Sequence, residues 1–179
     1  MKENQNNMQA YAMQYGTFMG VFWIIKFIFF PLGIYIHILE FIFTIATIAV
    51  PFYGYYLTKS YRDNKLNGVI SFGQAWIFTT FMFMFAGLLV AVAHYIYFRF
   101  IDNGLALSFY QNAVTTFSKT NIPGYPTKQV ADQITQGIAI VSSLTPIQLV
   151  MQLLSQNVIY GALMALPIAL FVKKSKKTL

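Results

Sequence analysis

The chain contains no cysteine, which excludes disulfides, thiolate metal sites and a cysteine nucleophile. Charge is scarce too. Only 9% of the residues are charged, where a water-soluble domain carries about 25%. Acids are the scarcest, with 5 Asp and Glu against 12 Lys and Arg, for a formal charge of +7. There is no acidic cluster that could hold magnesium. Gly-x-x-x-x-Gly-Lys-Ser/Thr, Gly-x-Ser-x-Gly and His-Glu-x-x-His are all missing. The two histidines, His37 and His94, are far apart and have no carboxylate at ligand spacing, so no metal site is expected. No cofactor is expected either, and enzymatic activity is disfavoured.

Apolar side chains are abundant. They make up 57% of the 179 residues, with a mean hydropathy of +0.56. The clearest run extends from Gly73 to Ile101, where Arg99 is the one formal charge. About 20 apolar residues suffice to cross the hydrocarbon core of a bilayer. Four such stretches are expected to span it, at about 15–33, 34–58, 73–99 and 150–172. The fold class expected is an all-α, four-helix integral membrane bundle forming one domain over residues 1–179. The first two spans are nearly fused, and Phe29-Phe30-Pro31-Leu32-Gly33 is the expected turn. Pro51 and Gly54 lie inside the second span, where neighbouring helices can satisfy the freed backbone.

The segment 102–145 is mixed. Leu105, Phe109, Ala113 and Phe117 recur at helical spacing, as do Val130, Ile134 and Ile138. This predicts two amphipathic helices at the membrane interface, broken at Ile122-Pro-Gly-Tyr-Pro126. Thr145-Pro146, a capping hydroxyl followed by proline at the first helical position, opens the last helix.

Basic residues set the topology. Lys59, Arg62 and Lys65 follow the second span; Lys173, Lys174, Lys176 and Lys177 follow the fourth. Short cytoplasmic segments carry such excess, so both termini are expected in the cytoplasm and 102–145 on the opposite side. The positive charge therefore points to anionic lipid headgroups and topology, not to nucleic acid. Residues 1–14 lack a basic region followed by a short apolar core, so the first apolar segment is expected to act as an uncleaved signal anchor.

Three strings carry a family resemblance: Tyr15-Gly-Thr-Phe-Met-Gly20, Gly68-Val-Ile-Ser-Phe72-Gly-Gln-Ala-Trp76 and His94-Tyr-Ile-Tyr-Phe98-Arg-Phe-Ile-Asp102. With Tyr61-Arg-Asp63 before the second string and the lysine tail, the chain resembles the DUF4199 family over essentially its whole length. That resemblance implies a small four-span protein of a bacterial inner membrane, mainly of Bacteroidota, and it brings no reaction, cofactor or catalytic residue. Many relatives carry proline after the aspartate that ends the third span; here that position is Asn103.

Ionisable groups inside spans are costly, about 2.5–3.5 kcal/mol at mid-bilayer, and mark candidate sites. Lys26 and Glu40 offer an ion pair or proton relay across the first hairpin, or else interfacial anchors near its turn. Arg99 and Asp102 are three residues apart and can pair on a helix, with His94 two turns earlier. They form either a polar site at the outer end of the third span or an anchor at headgroup level, which Tyr95 and Tyr97 favour. Gly16 with Gly20, and Gly161 with Ala165, are small pairs that let helices approach closely.

The leading reading is an accessory or scaffold subunit that binds lipid and a membrane-protein partner or its own copies. The alternative is a small oligomeric transporter or channel using His94, Arg99, Asp102, Lys26 or Glu40. A weaker alternative is an enzyme acting on lipid or polyprenyl carriers, with His94 and Asp102 as acid and base.

Overall fold

In the computed structural model, which describes residues 2–120 and 126–175, the chain is all helical apart from one isolated backbone bridge. The helices are α1 (Lys2–Gly33), α2 (His37–Lys65), α3 (Phe72–Ile96), α4 (Leu105–Lys119), α5 (Thr127–Ser142) and α6 (Pro146–Val172). A π-helical turn, Tyr97–Ile101, extends α3. α1, α2, α6 and α3 with its π turn are long and apolar enough to cross a membrane. The described residues thus form an all-α membrane bundle. The break expected within 122–126 falls mostly outside the described residues, as do Lys176 and Lys177.

The chain divides into two compact units, residues 1–93 with 153–179 and residues 94–152. In the first, α1 and α2 form an antiparallel hairpin. Aromatic pairs climb it in register, Tyr11 and Tyr15 with Tyr61, Phe22 with Tyr53 and Phe30 with Phe43. α1 runs through Pro31 to Gly33, and the proline forfeits one backbone bond there. The reversal therefore comes at Ile34–Ile36, just past the expected turn, with the Tyr35 and Ile36 N–H groups donating to the Leu32 carbonyl. Gly33 serves close approach: a Cβ there would lie 2.9 Å from the Glu40 nitrogen.

α3 is the centre of this unit, with the most buried of the four spans. Gly16 rests on Met82 and Phe85, and Gly20 on Ala86 and Leu89, so α1 runs parallel to α3. Phe83 of α3 is 1% exposed. Its ring meets Gly54 of α2 and stacks on Trp23 of α1 at a centroid distance of 5.8 Å, and its Cβ and ring face Gly161 of α6. Ala165, one turn beyond Gly161, is fully buried.

Local chemistry sets the element ends. α3 and α6 both open on a capping box, Ser71 with Gln74 and Thr145 with Gln148. Two connections turn on Asn-Gly pairs in the left-handed region, Asn67-Gly68 and Asn103-Gly104. Asn103 has φ of 45°, a value closed to proline, whose ring fixes φ near −65°.

In the second unit α4 packs on α5. The buried side of α5 carries Thr127 and Ala131, and Ile134 is exposed. Small residues let the two helices approach and leave the larger apolar side chains outward.

Gly161→Leu should cost about 1–3 kcal/mol by overpacking against Phe83. Gly137→Ala, in α5 with open space around it, should be neutral or stabilising by up to about 1 kcal/mol. Thermal melts of the detergent-solubilised protein check both.

Candidate functional site

Within the second unit, Asp102 is the most engaged polar group. It is 9% exposed. The Tyr97 hydroxyl donates to its Oδ1 at 2.7 Å, the Ala106 N–H to the same oxygen at 3.0 Å, and the Gly104 N–H to Oδ2 at 3.1 Å. The carboxylate thus caps the first turn of α4 and fastens the end of α3 to it. The π turn makes this possible. Its backbone bonds run from i to i+5, as from the Asp102 N–H to the Tyr97 carbonyl at 2.9 Å, and residues five apart come to one side.

The same turn separates Asp102 from Arg99, whose spacing of three makes neighbours only on a regular α-helix. The exposed Arg99 guanidinium lies 5.8 Å from the Phe100 ring centroid. His94 is half-buried, with its ring 6.3 Å from that of Phe98. The structure therefore joins Asp102 to Tyr97, and gives Arg99 an aromatic neighbour in place of a carboxylate.

Lys26 and Glu40 do not pair either. Lys26 is half-buried on α1, with Nζ 5.3 Å from the Phe43 ring centroid on α2, a cation–π contact. Glu40 is exposed in the first turn of α2, where a negative charge complements the helix dipole. Among the described residues no three His, Asp or Glu side chains gather as metal ligands.

The best-built polar contacts lie elsewhere, in the first unit, and sequence spacing did not reveal them. Thr58 and Thr79 are fully buried and share a hydrogen bond of 2.9 Å between α2 and α3, while each hydroxyl also reaches a carbonyl of its own helix. Arg62, 9% exposed, donates from Nη1 to the Val172 carbonyl at 2.8 Å and holds Asp63 through Nε and Nη2 at 2.7 and 3.1 Å. A cation at the last carbonyl of α6 also complements that helix's dipole. Beside it, Ile70 and Lys174 exchange two backbone hydrogen bonds of 3.0 and 3.1 Å. This lock gathers the end of α2, the start of α3 and the end of α6 at one end of the unit, where Tyr11 of α1 also meets Tyr61. Lys59, Arg62, Lys65, Lys173 and Lys174 all lie there. In the sequence, what marks Arg62 among these basic residues is that an acid, Asp63, follows it directly.

A family model described as "Protein of unknown function (DUF4199)" matches residues 14–174. No match was found among curated proteins or among solved structures.

Asp102→Ala should expose the lost cap as faster amide exchange in the first turn of α4 and cost about 1–3 kcal/mol, because it strands the Tyr97 hydroxyl and two N–H groups. Arg99→Ala should stay within about 0.5 kcal/mol of the parent. Hydrogen exchange with mass spectrometry, together with thermal melts, distinguishes the two.

Proposed function

The chain belongs to the DUF4199 family, and from that premise we propose that it is a non-enzymatic accessory or scaffold subunit of a bacterial inner membrane. Its role is to hold a helix of another membrane protein against α2. The observation that carries this reading is the outward side of α2. Ile38, Phe41, Ile45, Ile48, Phe52 and Tyr55 follow one another at intervals of three and four, and all are exposed. That is the a/d spacing of a helix seam, continued over roughly 25 Å at 1.5 Å per residue. Lipid requires an apolar surface; a continuous stripe of large side chains at heptad spacing also fits the left-handed packing of one membrane helix on another.

The basic end of the first unit supports an orientation. Short cytoplasmic segments carry Lys and Arg, so this end faces the cytoplasm with both termini, and residues 102–145 lie on the opposite side. The polar and small residues of the first and second units fit structural work. Asp102 serves as a cap, Arg62 as a lock, and Gly16, Gly20, Gly161 and Ala165 as points of close helix approach.

One observation favours a second reading, a small oligomeric transporter or channel. Lys26 is half-buried within a span and has no ion-pair partner among the described residues. If Lys26→Ala leaves solute and proton flux in proteoliposomes unchanged, that reading fails.

A photo-crosslinking residue at Ile48 or Phe52 tests the leading reading in native membranes. We expect a discrete adduct to one other membrane protein, recovered in stoichiometric amount after extraction in mild detergent. Adducts to lipid alone, from a protein that extracts as a solitary monomer, would contradict it.

A further inference from the structure

We propose that the groove between α1 and α2 at the basic end of the first unit binds one anionic phospholipid, with its phosphodiester at Ser60, Asn64 and Lys65 and an acyl chain along Phe18 and Leu57. The cavity there measures about 480 Å³, within the range of roughly 300–1,000 Å³ typical of small-molecule sites. The proposal stands independently of any protein partner on α2.

The groove has a polarity gradient along the membrane normal. Its deeper part is formed by Phe18 of α1 and Leu57 of α2, with Tyr53 and Tyr56 beside them. Toward the basic end the lining changes to Ser60, Asn64 and Lys65. From Leu57 to Asn64 is roughly 10 Å of helix at 1.5 Å per residue. A phospholipid runs from hydrocarbon to phosphate in the same direction, and tyrosines belong at the boundary between the two.

The charge at the polar end suits an anion. Asp63, the one acid nearby among the described side chains, is held by the Arg62 guanidinium through two hydrogen bonds. Lys65 has no carboxylate partner among the described residues, and its ammonium lies 5.0 Å from the Tyr11 ring centroid. Asn64 Nδ2 donates to Ser60 Oγ at 3.0 Å, and the Tyr15 hydroxyl lies 3.4 Å from that oxygen. With Tyr15 as the donor of that contact the Ser60 hydroxyl keeps its proton for a ligand, and the Lys65 ammonium has donors to spare, since an ammonium carries three. Lys59, Lys173 and Lys174 at the same end add an attractive field for anionic headgroups.

Native mass spectrometry of the full chain released from detergent micelles, after incubation with phosphatidylglycerol or phosphatidylcholine, tests the site. The expected result is one phosphatidylglycerol retained at least five-fold more than phosphatidylcholine. Lys65→Gln should abolish that preference, whereas Lys173→Gln, outside the groove, should preserve it. Asn64→Asp, an exposed position where folding is not at risk, puts a carboxylate at the mouth and should lower retention as far as Lys65→Gln does. Equal retention of the two lipids would overturn the proposal. So would equal losses from Lys65→Gln and Lys173→Gln, which would show attraction by the whole basic end. Displacement of phosphatidylglycerol by millimolar inorganic phosphate would also overturn it, because the site would then recognise a free anion and not a lipid.

Discussion

The bundle depends on one aromatic ring and the glycines that receive it. Phe83 sits at the middle of α3, and α2 and α6 each present a glycine to it while α1 presents the indole of Trp23. In a bilayer the hydrophobic effect does not favour one helix pairing over another, because lipid tails are as apolar as leucine. Association then depends on dispersion, which needs close and extensive contact. A large ring against two surfaces without a Cβ, with the Trp23 indole on a third side, supplies that contact. The same logic recurs between α1 and α3, where Gly16 and Gly20 lie against backbone and Cβ atoms of their partner.

Polar groups in the hydrocarbon are constrained as tightly. Each needs an internal partner, since water is absent. Thr58 and Thr79 satisfy each other and their own helices, and Arg62 satisfies both a neighbouring carboxylate and the end of α6. Interhelical bonds of this type contribute about 0.6–2 kcal/mol each, so they refine packing more than they drive it. Their position matters for function. They engage Thr58, Thr79 and Arg62 at the α2–α3 and α2–α6 contacts, while the Trp23 indole N–H and the Thr80 hydroxyl are buried without a hydrogen-bond partner among the described residues, and they leave the long apolar side of α2 and the groove at its basic end open to other molecules.

The sequence made the spans legible because hydropathy alone distinguishes 20-residue apolar runs, and Thr145-Pro146 announced the start of α6 through capping chemistry. What it concealed has physical reasons. Pro31 read as a turn, yet α1 continues two residues past it and the reversal lies at Ile34–Ile36. Arg99 and Asp102 read as an α-helical pair, and a π turn, which no residue pattern advertises, rotated them apart and delivered Tyr97 to the carboxylate instead. Arg62 read as one of several topology-setting cations. Its buried bond to Val172 joins residues 110 apart in the chain, a separation beyond the reach of any periodicity argument.

The absence of cysteine makes the central claim, four crossings with the basic end on one side, directly measurable. Single cysteines replace Lys59, Lys173, Ser108 and Ser142, all exposed positions, and intact cells with a permeable outer envelope are treated with a membrane-impermeant maleimide. The account predicts labelling of Ser108→Cys and Ser142→Cys in intact cells, and of Lys59→Cys and Lys173→Cys only after the membrane is opened. Equal labelling of Lys59→Cys and Ser108→Cys would mean that α3 does not cross the membrane, and would contradict it.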